Sequence, residues 1–242
     1  DTGMTPLKRA FLALEDTRAR LAAAEAAQRE PIAVIGLGCR VPGGGDDPAS
    51  FWALMRDGVD AIGPLPADRW DVEALYDPDP DRPGHIATRA GGFIGDPRGF
   101  DPALFGIARR EAQGMDPQQR LLLEVAWEAL ENAGQPPDRL EHSATGVYIG
   151  VTGSDYAYLQ FETRDRELLD PHFASGIAHS IVSGRLSYLL GLQGPALTID
   201  TACSSSLVAI HLACQALRAG DCRMALAGGV NLILSPDLYI AL

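Results

Sequence analysis

PALTIDTACSSSLVAIHLACQALRAGDCRMALAGGVNLIL, residues 195–234, holds the local signals around which the rest of the chain is organised. Leu197 to Thr201 is β-branched and apolar, as a short buried strand is. Ser204 to Arg218 has helical length and contains neither Gly nor Pro. Cys203 falls between them. A cysteine at a tight strand-to-helix junction meets the unpaired N–H groups and the dipole of the helix N-terminus, which favour a thiolate and make it a candidate nucleophile. The same N–H groups suit the oxyanion formed when such a thiolate attacks a thioester carbonyl. Ser204, Ser205 and Ser206 are expected to satisfy free donors of the first helical turn with their hydroxyls.

Leu207, Val208, Ala209, Ile210, Leu212, Ala213, Cys214, Ala216 and Leu217 cover every side of this helix, so it is expected to be packed all round. Gly220 ends it as a C-terminal cap. Met224 to Leu234 returns as an apolar strand interrupted by Gly228 and Gly229.

The strand-turn-helix resembles the β-ketoacyl synthase (ketosynthase) domains of modular type I polyketide synthases, within the thiolase-like superfamily, through Asp200, Thr201, Ala202, Cys203, Ser204, Ser205 and Ser206. PIAVIGLGCRVPGG (31–44), GGFIGDPRGFDPALFGI (91–107), MDPQQRLLLEVAWEALENAG (115–134) and SGRLSYLLGLQGPALTIDTACSSSL (183–207) resemble the same family in the same order. The resemblance spans residues 31–242, and one departure is Ile177, where the family often carries a polar residue.

The resemblance implies an α/β fold, a thiolase-like layered sandwich whose first half is present, preceded by an N-terminal α-helix. It implies polyketide chain extension by decarboxylative Claisen condensation: Cys203 accepts the acyl chain from an acyl carrier protein, and a malonyl-type carbanion then attacks it. No cofactor is expected to be bound directly, because the substrates ride on the phosphopantetheine of acyl carrier proteins. A homodimer is also implied. The family's two catalytic histidines and supporting lysine belong to the second half of the domain, and no HGTGT-like or NIGH-like segment occurs here. The chain alone is therefore expected to be catalytically incomplete and to leave one face of the 204–218 helix uncovered. A coenzyme A-dependent thiolase is a rival that PIAVIGLGCRVPGG and MDPQQR oppose, and Cys203 opposes a decarboxylase-only variant. A non-catalytic dimerisation and docking fragment is the rival from another class.

Residues 1–30 differ in composition, being rich in Ala, Leu, Arg and Glu. Leu7, Leu14 and Leu21 fall on one stripe, with Ala10, Phe11 and Ala24 on or beside it, as in a coiled-coil seam. At about three heptads such a helix is marginal alone in water and needs a partner. The resemblance implies a dimeric coiled coil that docks the upstream polyketide synthase subunit; the plainer reading is a lead-in helix lying on its own domain. Two units follow, a docking helix over 1–30 and the ketosynthase half over 31–242.

The net charge of −12 argues against nucleic acid, since phosphate binding needs a basic surface. Four cysteines without a signal peptide or a membrane-length apolar run fit a reducing cytoplasm and no membrane. Cys39, Cys214 and Cys222 are expected to be inert packing thiols. Pro31 to Gly36 reads as a strand, and Gly36 and Gly38 do not make a dinucleotide loop, because Val41 takes the third glycine's place and Pro42 follows. A short helix over 50–57, capped by Asp47 or Ser50, is expected to turn Phe51, Trp52 and Leu54 inward.

Residues 63–102 form a Pro-, Gly- and Asp-rich excursion. Its Asp77, Asp79 and Asp81 do not make a calcium loop, since Arg82 stands where Gly is needed and Thr88 where the bidentate Glu is needed. No metal site is expected. Asp116 and Pro117 open a helix that Gly134 closes, with Met115, Gln118 and Gln119 at its start. Gly146 to Val151 reads as a core strand and Ile177 to Leu190 as a helix. His211, eight residues past Cys203 on one helix, lies about 12 Å along the axis and is no direct base. His179 sits in a helix leading toward the site, and position alone is weak evidence that it lines the pocket; His85, His142 and His172 default to the surface.

Overall fold

A computed structural model of the chain describes residues 5–163 and 170–241. It opens with α1 (Pro6–Gln28), along which Leu7, Phe11, Leu12, Leu14 and Leu21 are exposed. Residues 1–4 of the expected N-terminal helix lie outside the described residues. α1 packs lightly against the later helix Ser205–Ala219, and just past its end the Arg218 guanidinium donates to the Glu30 carbonyl at 3.4 Å.

Pro31 to Gly36 is not a strand. Among the described residues it pairs with no strand: it lies along the later helix Pro117–Asn132, where a Cβ on Gly36 would stand 2.5 Å from the Ala129 carbonyl, and a cavity separates it from the strand Met224–Gly229. Leu37 N donates to Asn132 Oδ1 at 3.0 Å, a side chain replacing a ladder partner. Val34, Ile35 and Leu37 stay more than half exposed. α2 (Pro48–Arg56) begins at Asp47, whose carboxylate accepts from Ala49 N and Ser50 N, as expected. Trp52 and Phe51, expected inward, are 62% and 38% exposed, because no described element covers that side of α2.

The excursion carries β1 (Gly63–Pro64), α3 (Val72–Leu75) and β2 (Ala90–Gly91), with β1 and β2 antiparallel. Asp77 and Asp79 spend their carboxylates on local turns, accepting from Asp79 N and Asp81 N, and Arg82 pairs with Asp77.

α4 (Arg109–Gly114) leads to α5 (Pro117–Asn132), which Asp116 caps by accepting from Gln118 N at 2.8 Å. β3 (Thr145–Gly150) follows and is buried at every position. After α6 (Asp155–Glu162) come α7 (Pro171–Ile177) and α8 (His179–Leu189). The single helix expected over 177–190 is thus broken at Ala178, whose extended backbone ends α7 and starts α8. β4 (Ala196–Ile199), α9 (Ser205–Ala219), β5 (Met224–Gly229) and α10 (Asp237–Ala241) complete the described chain.

β3 is the middle strand of a parallel sheet, with Tyr148 opposite Leu197 of β4 and Ala227 of β5. Its side chains alternate between two cores, as strand geometry requires. Val147 and Ile149 face Leu122, Leu123, Ala126 and Leu130 of α5 and Val182 and Leu186 of α8. Tyr148 faces Ala209, Ala213 and Ala216 of α9. The strand expected over 224–234 stops at Gly229, because Leu232 N and Leu234 N are taken by the side chains of Gln118 and Asp155.

α9 is not packed all round. Ala209, Ala213 and Ala216 sit on the sheet at 0–7% exposure, while Leu207 is 70% and Ile210 45% exposed on the other side. One sheet covers one face of the helix, and the open face is the one the half-domain expectation left uncovered. Gly220, at φ 80, ends α9 in the left-handed conformation of a C-terminal glycine cap.

Candidate active site

The loops that follow β3, β4 and β5 converge where the strands end, the position at which parallel α/β sheets gather their functional groups. Cys203 is exposed, two residues before α9 begins. Close approach of the helix to the sheet depends on glycine. A Cβ on Gly150, the last residue of β3, would lie 2.7 Å from Ser205 C and Ser206 N, so only glycine lets the helix N-terminus rest on the strand end.

The turn itself is strained. Ala202 has φ 53, a left-handed conformation that a residue with a Cβ adopts at a cost. Two side chains hold it there. Asp200 Oδ1 accepts from Ala202 N at 3.0 Å and from Thr152 Oγ1 at 3.0 Å. These two hydrogen bonds, the backbone one first, hold the Asp200 carboxyl below its ordinary pKa. Ser205 Oγ accepts from Thr201 N at 2.9 Å and donates to Ala202 O at 2.7 Å, with Thr152 Oγ1 3.3 Å away.

The serines work backwards rather than forwards. The sequence expectation has them capping free donors of the helix, but Ser204 has helical φ and ψ of −92 and −2 and makes no side-chain cap. Its hydroxyl donates to Thr201 O at 2.9 Å instead. An N-cap side chain reaches the first-turn donors from an extended backbone, which Ser204 lacks.

The remaining sequence candidates separate. His179 Nε2 lies 3.1 Å from Ser154 Oγ and 3.2 Å from Gly153 O, on the loop after β3 that also carries Thr152. His211 is exposed on α9, and the His142 side chain is 76% exposed. His172 and His85 are half-buried, so neither is the plain surface residue expected: His172 lies beside Glu111 and the His85 ring on Pro83 O. Cys222 is buried, and burial pushes its thiol pKa up; Cys39 and Cys214 are half-buried.

Residues around MDPQQR tie the site together. Gln118 Nε2 donates to Gly153 O at 3.1 Å and its Oε1 accepts from Leu232 N at 3.2 Å, joining the loops after β3 and β5. Asp155 Oδ2 accepts from Leu234 N at 2.9 Å and Ser235 N at 3.1 Å. Gln119 Nε2 donates to Gly176 O at 2.8 Å and its Oε1 accepts from Arg185 Nε at 3.0 Å, with Arg185 also paired to Glu111. Sequence reasoning missed Thr152 and Asp155. Their one signal is positional, since they directly follow a strand that reads as core.

Such an arrangement presents one exposed thiol on a fixed turn. Among the described residues no group of three His, Cys, Asp or Glu side chains is placed to hold a metal ion, and no helix is long and apolar enough to cross a membrane.

Known proteins share both sequence and fold with this chain. It is 53% identical over 242 residues to a phenolphthiocerol/phthiocerol polyketide synthase chain of Mycobacterium tuberculosis, covering all of this chain and 15% of that protein. It is 52% identical over 235 residues to the spectinabilin polyketide synthase system protein NorC of Streptomyces orinoci, covering 97% of this chain and 10% of that one. The chain thus spans a small fraction of these relatives. Among solved structures, an oxazolomycin ketosynthase domain of Streptomyces albus superposes with TM-score 0.80 at 39% identity, over 86% of this chain and 35% of that one. The ketosynthase from module 6 of the bacillaene synthase of Bacillus subtilis gives TM-score 0.74 at 36% identity, over 86% and 33%. The fold is therefore that of the thiolase-like ketosynthases, and the polyketide synthase relatives favour this reading over a thiolase. Residues 29–242 match the family described as β-ketoacyl synthase, N-terminal domain, and the chain belongs to that family.

Proposed function

We propose that this chain supplies the acyl-accepting half of a ketosynthase that extends a polyketide by decarboxylative condensation, with Cys203 as the nucleophile. The observation that carries the proposal is the exposed Cys203 on a turn whose strained Ala202 is held by both Asp200 and Ser205. The Cys203 thiolate attacks the carbonyl of an acyl thioester carried on the phosphopantetheine of an acyl carrier protein, and the carrier thiol leaves. A malonyl-type unit on a second carrier then loses CO2. Its enolate carbon attacks the Cys203 thioester, the Cys203 sulfur leaves, and the β-ketoacyl chain departs on the second carrier.

The five histidines of this sequence lie outside segments resembling the family's catalytic motifs, so residues 1–242 are proposed to furnish acylation and not decarboxylation. α1, with its exposed Leu7, Leu14 and Leu21, is proposed as a separate unit over residues 1–30 that pairs in a dimer and docks an upstream synthase subunit. The setting is the cytoplasm, where thiols stay reduced.

Intact-protein mass after incubation with an acyl thioester of N-acetylcysteamine tests the proposal. One acyl adduct on the unmutated chain, absent from Cys203→Ala, is expected. Equal labelling of both proteins sinks it.

A further inference from the structure

A second polar site lies beside the first turn of α5, which carries Arg120. Arg98, Arg109 and Arg120 line one small cavity of about 220 Å3 together with Phe100, Pro102, Ala112 and Gln113. Three guanidinium groups around one cavity are conspicuous in a chain of net charge −12. Only Arg98 is neutralised, by Asp96 at 2.7 Å and Asp68 at 3.3 Å. Arg109 and Arg120 have no ion pair among the described residues, whereas the adjacent Arg110 is paired with Asp170 at 2.9 Å.

Arg120 is the most telling of the three. Its Nη1 donates to the Arg98 carbonyl at 3.3 Å, but its buried Nε has no acceptor. Burial pulls the Arg120 guanidinium pKa below its ordinary value, against the opposing pull of Tyr156 and of the Asp116, Asp96 and Glu124 carboxylates, none of which makes an ion pair with it. A buried guanidinium with an idle donor wants an oxyanion, which accepts from two nitrogens of the fork at once. The volume admits a group of phosphate size, and the two guanidinium groups that lack an ion pair suit its oxyanion.

We propose that the Arg98–Arg109–Arg120 cavity binds a phosphate group, either free phosphate or a phosphodiester carried on a larger molecule. Arg120 grips it from the buried side, Arg109 closes the exposed side, and Arg98 frames the opening. The inference stands apart from the role of Cys203 and does not require it.

Isothermal titration of the full-length protein with inorganic phosphate tests it. One saturable site is expected, weakened at least about tenfold by Arg109→Gln and by Arg120→Gln and unchanged by Arg110→Gln. If Arg120→Gln fails to fold, as circular dichroism would show, Arg109→Gln decides alone, since its side chain is exposed. Absence of saturable binding of both inorganic phosphate and dimethyl phosphate overturns the proposal, as does an equal loss in Arg110→Gln. A parallel titration with dimethyl phosphate separates the sources: binding of the diester assigns a carried phosphodiester, and binding of inorganic phosphate alone assigns the free ion.

Discussion

Ser205 Oγ donates to the carbonyl of Ala202 at 2.7 Å while accepting from the neighbouring Thr201 N–H at 2.9 Å, so the first residue of α9 fastens the turn that precedes it. Cys203 lies inside this closed loop. Its backbone is therefore fixed from both sides before any substrate arrives, which is what preorganisation of a nucleophile requires.

Ser205→Ala removes both bonds and leaves the Thr201 N–H and Ala202 carbonyl without them. Ser205 is 6% exposed, so water replaces the hydroxyl poorly. A loss of about 1–3 kcal/mol in stability is expected, with slower acylation of Cys203. Urea denaturation and adduct formation followed by mass measure the two effects, and unchanged acylation would remove Ser205 from the turn's support.

Ala202, at φ 53, separates two substitutions. Ala202→Gly accepts the left-handed conformation and should be near neutral, its greater freedom when unfolded offsetting the strain it relieves. Ala202→Val should cost more than about 1–2 kcal/mol, because a β-branched side chain is poorly accommodated there. Thermal melts of the two variants give the order, and Val at or above Gly would contradict the strained turn.

Gly150→Ala places a methyl group 2.7 Å from backbone atoms of Ser205 and Ser206, which cannot swing aside as a flexible side chain does. The N-terminus of α9 must move away from β3. A stability loss of about 1–3 kcal/mol is expected together with a larger loss in acylation than Gly95→Ala, whose exposed site has open space. Equal acylation of the two variants would show that the helix tolerates the shift.

Asp116 carries a pH dependence. Burial raises its carboxyl pKa above the ordinary carboxylate value, against the hydrogen bonds from Gln118 that lower it. In the window between the unfolded and the folded pKa, the folded state binds more protons than the unfolded one, so this group's contribution to stability declines as pH rises through that window. Asp116→Asn removes this slope. It also sets an amide donor against Gln118 Nε2, whose other bond to Gly153 O prevents a flip, so the variant should be less stable by about 1–2 kcal/mol at neutral pH. Denaturation midpoints from pH 4 to 7 would show the gap between the proteins narrowing as pH rises; a gap that widens reverses the sign.

Local rules account for what was legible. Asp116 before Pro117, Asp47 before Pro48 and Gly220 after Ala219 mark helix ends through bonds within a few residues, and all three stand where those rules put them. Thr145 to Gly150 reads as core and is buried throughout. Pro31 to Gly36 has the same apolar character yet is no strand, since strand formation is a property of two segments and not of one. The same reason separates the apolar circumference of α9 from its burial: Leu207 and Ile210 record what the helix can pack against, while the sheet beneath it covers only the alanine side.

The sequence by itself determined the family, the core strand before Val151, the helix that Asp116 opens and the placing of Cys203 between a strand and a helix, because these depend on residue types at short spacing. Only the tertiary structure decided how that turn is held. Thr152 comes from the loop after β3, Asp200 from the end of β4, Ser205 from α9, and Gln118 from α5 joins two of the loops behind them. Those side chains are brought together by three parallel strands ending at one edge. Hydrogen bonds act over about 3 Å in space and take no account of distance along the chain.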